Sequence, residues 1–240
     1  MNTPSSQPVC AITGGSAGIG LAAAKRFAAS GYAIAICGRD LDKLSAARDE
    51  ILAKQEKAKV ECQVTQCDLS TTEGVEGFLT DVVSSWARID VLVNNAGAAT
   101  MAPIDEISPQ DFERMLTVNL GATFHATQFA WRMMKNAGGG TIINVASQAA
   151  RDPFPGFSVY GACKAWVTLF TQAIAKEGRA HNIRVYGVLP GAVETTMLRG
   201  LLPEFPSEDT LSPEDVAETI FALTQPPWKH ASGSLIDVVK

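Results

Sequence analysis

The chain of 240 residues carries 20 Lys and Arg against 25 Asp and Glu, a formal net charge of −5, with 46% hydrophobic and 19% charged residues. That balance excludes disorder and a coiled coil, and the length allows a core burying roughly 70–75% of the unfolded surface. An isoelectric point near 5.3 with no dense Lys/Arg run removes the electrostatic basis for binding nucleic acid.

Residues 1–8 have neither a basic start nor an apolar stretch. No apolar run approaches the ~18–20 residues of a membrane span, so a cytoplasmic protein with no membrane partner is expected. Short apolar runs then alternate with segments of helical period. Val9–Thr13, Tyr32–Cys37, Val60–Gln66, Asp90–Val93, Thr141–Ala146, Ile183–Leu189 and Ser234–Val238 read as strands. Strands alternating with helices predict an α/β single-domain Rossmann fold over 1–240, with a seven-stranded parallel sheet flanked by helices on both faces. The unbroken apolar character of Ala33–Cys37 and Ile142–Ala146 is what strands covered on both sides require.

The helices carry start and stop signals. Gly31 is placed to end the helix over Ile19–Ser30, and Leu41–Lys54 forms the next one. Ser70-Thr71-Thr72-Glu73 has the capping-box pattern, opening a helix to Ala87. Ser108-Pro109 and Ser212-Pro213 each put serine at the cap and proline at the first helical position. Asp111–Lys135 and Ser158–His181 read as long helices whose Phe124, Phe129, Trp131, Trp166, Leu169 and Phe170 serve either the core or a subunit interface. The longest irregular stretch, 190–211, follows the sixth strand at the sheet edge where open α/β folds bind ligands and is expected to be a substrate lid loop.

Strand one runs into Thr13-Gly14-Gly15-Ser16-Ala17-Gly18-Ile19-Gly20, directly before an alanine-rich helix. Glycines at this spacing permit a tight turn, close approach to a pyrophosphate and helix–sheet packing, with the anion on free amides at the helix start. Gly14, Ser16 and Gly18 also match Gly-x-Ser-x-Gly, the nucleophile elbow of an α/β-hydrolase-type esterase, for which Asp68 or Asp90 and His181 would have to complete a triad. After strand two, Arg39 suits the 2′-phosphate of NADP(H), whereas Asp40 suits either the ribose of NAD(H) or the cap of the following helix. NADP(H) is the expected cofactor, with NAD(H) possible. The five cysteines form no Cys-x-x-Cys pair and the three histidines have no partner at ligand spacing, so buried free thiols and no metal site are expected.

Tyr160 and Lys164 stand four residues apart, hence on one helix face, thirteen residues beyond Ser147 at the end of an apolar strand. With the glycine turn, Asp68, Asn94-Asn95-Ala96-Gly97, Asn119 and Pro190-Gly191, these motifs occur in the order found in the short-chain dehydrogenase/reductase (SDR) family, which the sequence resembles over essentially its whole length. The resemblance implies an oxidoreductase acting on a small-molecule carbonyl or alcohol, with Asn119, Ser147, Tyr160 and Lys164 as its catalytic set. Tyr160 would be the acid/base, Lys164 would favour its phenolate and hold the nicotinamide ribose, Ser147 would bind the substrate oxygen and Asn119 a water. The cofactor would lie on Gly14, Ser16, Gly18, Ile19, Gly20, Arg39, Asp68, Asn95, Ala96, Gly97, Pro190, Gly191, Val193 and Thr195, besides Tyr160 and Lys164.

Asp68 would face the adenine amino group and Asn95 the adenine-ribose side; read from residue type alone, Asp68 and Asn94–Gly97 equally suit plain turns, and Asn119 a helix kink. Phe154 and Phe157 suggest an apolar substrate wall, Arg151 a contact to an acid or acyl-carrier group, and Met197, Leu198, Leu201, Leu202 and Phe205 an apolar lid. The family resemblance also implies a homodimer or homotetramer. A regulator that binds the cofactor without turnover is a third class, for which the intact catalytic set is superfluous. The chain departs from many relatives in having Ser16-Ala17 where NADP-preferring members carry a basic residue, and in lacking glycines after Asp237.

Overall fold

A computed structural model describes residues 7–53 and 60–240. Seven parallel strands form one sheet in the order β3-β2-β1-β4-β5-β6-β7: β1 Val9–Thr13, β2 Ala33–Gly38, β3 Cys62–Gln66, β4 Val91–Asn94, β5 Gly140–Val145, β6 Ile183–Pro190 and β7 Leu235–Val238. Helices α1 Gly18–Ala28, α2 Leu41–Leu52, α3 Thr72–Trp86, α4 Pro109–Leu116, α5 Ala122–Ala137, α6 Ser158–Gly178, α7 Thr196–Leu201 and α8 Pro213–Ala222 connect and cover it. The expected α/β architecture is present, with strand ends shifted by no more than two residues. Residues 1–6 and the expected helix end at Lys54 lie outside the described residues.

Period-two alternation distributes the strand side chains between two cores. Ile12, Ile34 and Ile36 pack with Phe27, Val216 and Ile220 on one face. Ala11, Ala35 and Leu92 pack with Phe78, Val82 and Ala126 on the other. Central strands therefore need apolar residues at every position, as β1 shows with five buried residues in a row. The edge strands β3 and β7 are only half-covered.

Local chemistry explains where the elements depart from expectation. Thr71, not Ser70, caps α3 by accepting from the Gly74 N–H, and no reciprocal box forms there; the full box forms at Ser212 with Asp215. The expected single helix over Asp111–Lys135 is broken by a π-turn at Thr117–Gly121. Asn119 Nδ2 donates to the Met115 carbonyl four residues back (2.8 Å), taking the acceptor an α-helical N–H would use and widening the turn. The stretch 190–211 is not irregular: it holds α7, a 3₁₀ turn at Ser207–Asp209 and a bridge between Val193 and Leu211.

Of the six apolar residues on the long helices, Phe129, Trp131 and Phe170 pack against the core and Trp166 against a smaller cluster. Phe124 and Leu169 stay exposed, at 41% and 67%. Among the described residues no helix is long and apolar enough to cross a membrane.

Candidate active site

A cleft of about 1190 Å³ opens at the carboxyl edge of the sheet, where the chain order reverses between β1 and β4. Its floor is the turn between β1 and α1. Gly14 and Gly18 have φ of +67° and +53°, a region that disfavours side chains. A Cβ on Gly20 would lie 2.3 Å from the Gly14 carbonyl oxygen, so only glycine permits this tight packing of helix on turn.

The second turn, after β4, is locked to the first. Thr13 Oγ accepts from the N–H groups of Asn95 (3.0 Å) and Ala96 (3.1 Å), while Asn95 Nδ2 donates to the carbonyls of Thr13 (3.0 Å) and Gly14 (2.9 Å). The Asn95 amide thus ties the two turns together, and Asn95 and Gly14 both line the cleft. Thr13, which sequence reasoning treated only as the start of a motif, is the hub of this junction.

At the far end of the cleft Arg39 is exposed and lines the wall. Asp40 turns away: its Oδ1 accepts from the Lys43 N–H (3.0 Å) and caps α2. Backbone donation from Lys43 is the main reason its carboxyl titrates below the usual range. Asp68 lines the cleft and also accepts from the Ser70 N–H (2.9 Å), the chief cause of its lowered pKa. It both starts a turn and borders the site.

The central group is carried by β5 and α6. Ser147 follows the strand, its Oγ accepting from the Ala149 N–H (3.1 Å), and lines the cleft together with Tyr160. Lys164, 4% exposed, donates from Nζ to the Val145 carbonyl (2.9 Å) and lies 5.7 Å from the centre of the Tyr160 ring. Burial pushes its pKa down to about 8. Burial likewise raises the Tyr160 phenol, opposed by the Ser147 hydrogen bond and reinforced by the Cys163 thiol. The phenol is therefore raised and not lowered as expected, with burial the largest cause.

Asn119 comes beside this group. A Cβ on Gly97 would lie 3.1 Å from Asn119 Oδ1 and 3.5 Å from Lys164 Nζ. Its Nδ2 donates to Ala98 O (2.7 Å) and Met115 O (2.8 Å), and its Oδ1 accepts from Ala98 N (3.4 Å). The amide therefore holds backbone, and the expected kink and the expected place beside Lys164 are one feature.

The other end of the cleft is apolar. Phe154, 62% exposed, leans on the buried Phe157 (ring centres 6.4 Å apart), which in turn contacts Tyr160 (5.5 Å). Met197, Leu198, Leu201, Leu202 and Phe205 face them. Pro190, Gly191, Val193 and Thr195 line the adjoining wall, as do Ser16, Gly18, Ile19, Ala96 and Gly97. Gly20 does not line the cleft. Arg151 does not line the cleft: Nη1 donates to Asp237 Oδ2 (2.6 Å), and Gln148 Nε2 donates to Asp237 Oδ1 (2.6 Å). Asp237 thereby braces the 3₁₀ turn beginning after Ser147, a role with no local sequence signal because its partners lie 86 and 89 residues away.

No histidine lines the cleft. His181 and Asp90 precede β6 and β4, at the amino edge opposite Ser16, and Asp90 is bound to Arg88 and the Val9 N–H. The hydrolase triad is not assembled. Cys10, Cys37 and Cys163 are buried, but Cys62 and Cys67 are half-buried and Cys67 borders the cleft.

Comparison with known proteins agrees with this geometry. The short chain dehydrogenase family model matches residues 8–204. Carbonyl reductase family member 4 of Xenopus tropicalis is 33% identical over 230 residues, 92% of each chain. The 3-oxoacyl-[acyl-carrier-protein] reductase of Thermotoga maritima is 34% identical over 239 residues, covering 96% of this chain and 95% of its own. Among solved structures, 3-ketoacyl-(acyl-carrier-protein) reductase of Brucella melitensis complexed with NADH superposes with a TM-score of 0.88 at 30% identity over 96% of each chain. L-sorbose reductase of Gluconobacter frateurii, with NADPH and L-sorbose, gives 0.89 at 28% identity over 100% of this chain and 97% of its own. With the ordered glycine turn, Ser147, Tyr160 and Lys164 gathered at one cleft, and a family match spanning most of its length, this chain belongs to the short-chain dehydrogenase family of oxidoreductases.

Proposed function

We propose that the chain is an NADP(H)-dependent carbonyl reductase or alcohol dehydrogenase in which Tyr160 is the acid/base, with NAD(H) as a weaker alternative cofactor. The observation that carries this reading is the convergence of Tyr160, Ser147 and buried Lys164 on one cleft large enough for a dinucleotide and a substrate, with Lys164 Nζ 5.7 Å from the centre of the Tyr160 ring. The residues fit a pyrophosphate cofactor: the glycine turn lines the cleft with Gly14 and Gly18, both at positive φ and free of side chains, and presents the start of α1 to it. When bound, the nicotinamide supplies or accepts the hydride.

The protein's own groups do the rest. Ser147 Oγ holds the substrate oxygen, and Tyr160 Oη donates its proton there as negative charge develops. A neutral phenol at neutral pH, kept so by burial, is the correct starting state for reduction. Once the proton has left, the Lys164 ammonium stabilises the phenolate, and with a pKa of about 8 it remains mostly charged at pH 7. In oxidation the same groups act in reverse.

Arg39 supports NADP(H), because it stands exposed on the cleft wall while Asp40 is committed to the α2 cap. Phe154 and the apolar lid support a small carbonyl or alcohol substrate with an apolar body. Exposed Phe124 and Leu169 support a homodimer or homotetramer, testable by sedimentation. Fluorescence titration with NADPH and NADH at one ionic strength tests the cofactor reading. Tighter NADPH binding is expected; preference for NADH overturns the Arg39 assignment, and binding of neither overturns the enzyme.

A further inference from the structure

The lid carries a polar construction that the proposed chemistry does not use. Arg199, on α7, places all five of its guanidinium N–H donors. Nε donates to Glu194 Oε1 (2.7 Å) and Nη2 to Glu194 Oε2 and to Ser207 Oγ (2.8 Å). Nη1 donates to the carbonyls of Pro203 (3.1 Å) and Phe205. Glu194 Oε2 also accepts from Thr210 Oγ (3.3 Å). The base of the lid is separately closed by backbone bonds from Glu194 N to Leu211 O and from Leu211 N to Ala192 O, both 2.9 Å.

A planar five-donor fork meeting a bidentate carboxylate and two converging carbonyls is a match for arginine alone; lysine offers three donors on one atom. The side chains attached to this frame are those that line the cleft: Leu198, Leu201, Leu202 and Phe205. Glu194 directly precedes Thr195, whose Oγ accepts from the Leu198 N–H (3.2 Å) and starts α7. The guanidinium therefore joins the cofactor-side wall to the apolar substrate wall.

We infer that the Glu194–Arg199 pair is a positioning clasp that fixes the apolar substrate wall in its binding-competent shape, so that Arg199 governs substrate affinity without touching the reacting atoms. The inference rests on the reading of the cleft as that of an oxidoreductase. Both side chains are part-exposed, at 29% and 43%, so the charge component of the clasp is open to screening by salt.

Arg199→Met and Arg199→Lys are compared with the parent at saturating NADPH, using 1-phenylpropane-1,2-dione as the ketone, with chymotrypsin cleavage of the lid as a second readout. Arg199→Met is expected to raise KM about tenfold with kcat within about threefold, to speed cleavage after Leu198 or Leu201 about tenfold, and to leave NADPH affinity unchanged. Arg199→Lys should fall between. Added NaCl should raise KM in the parent and not in Arg199→Met, which general loosening of the lid does not predict. An unchanged KM with an unchanged cleavage rate in a folded variant overturns the clasp, as does a loss confined to kcat. If the parent binds neither NADPH nor NADH, the oxidoreductase reading fails, and the cleavage comparison still decides whether Arg199 holds the lid.

Discussion

The two ends of the cleft are built from different materials. At the cofactor end the working surface is backbone, and the polar side chains of Thr13 and Asn95 turn inward to hold one turn against the other. At the substrate end the working surface is side chain: Phe154, Met197, Leu198 and their neighbours, on short elements fastened by an arginine and a carboxylate. A backbone surface tolerates almost no substitution, because glycine geometry and amide direction cannot be replaced. A side-chain surface can be re-cut by single changes of shape, which alter substrate choice by modest energies. Between them stand Ser147, Tyr160 and Lys164, fixed by the buried sheet and α6. Mutations in the three zones should differ in kind as well as in size.

The sharpest break is expected at the junction. Tyr160→Phe removes the proton that the mechanism transfers and almost nothing else, so turnover should fall by about 10³-fold or more while NADPH affinity stays within about threefold. Activity within tenfold of the parent, measured under saturating cofactor, would falsify the acid/base assignment.

Lys164 should separate function from stability. Its folded pKa of about 8 lies below the ordinary lysine value of 10.5, so between these values the unfolded chain binds more protons and stability rises with pH. The cost of burying the ammonium is thus full below about pH 8 and fades towards pH 10.5. Lys164→Met should lose turnover yet unfold at higher denaturant at pH 7, by about 1–2 kcal/mol once the lost bond to the Val145 carbonyl is allowed for, with the gain shrinking by pH 10. A variant less stable than the parent at pH 7 contradicts this account.

Arg39 tests the cofactor end by side chain, at the position expected to read the 2′-phosphate. Arg39→Ala should weaken NADPH by about tenfold and NADH by less than about threefold, because the deleted cation meets only the 2′-phosphate. Equal losses for both would remove that role.

What could be read in the sequence follows the same division. The sheet was legible because strands covered on both faces must be apolar throughout, and the glycine turn because its backbone geometry leaves a fixed residue pattern. Ser108 and Ser212 were legible as caps because a side chain three residues from its partner is a local event. The role of Asn95 was not: its acceptors, Thr13 and Gly14, are 82 and 81 residues away, and residue type alone does not say which way an amide turns. Arg151 was misjudged for the same reason, since its partner Asp237 lies 86 residues on. The lid looked irregular because α7 is a six-residue helix, too short to show a period, capped by Thr195 and held by contacts spread over Glu194–Thr210.

The smallest expected effect lies at the outer rim, and it probes whether the substrate end really works through shape. Phe154 is mostly exposed, and its ring is joined to Tyr160 through Phe157. If it forms part of the substrate wall, truncation removes contact with the apolar body of the ketone and leaves the proton-donating group untouched. Phe154→Ala should then raise KM for an aryl ketone by about threefold to tenfold, leave KM for acetone nearly unchanged, and leave kcat with both within about twofold, the pattern of lost uniform binding. An equal rise for both ketones would mean that the ring shapes the entrance generally instead of meeting the substrate. A fall in kcat alone would mean that Phe154 acts through Phe157 on the setting of Tyr160, moving it from the replaceable wall to the fixed junction.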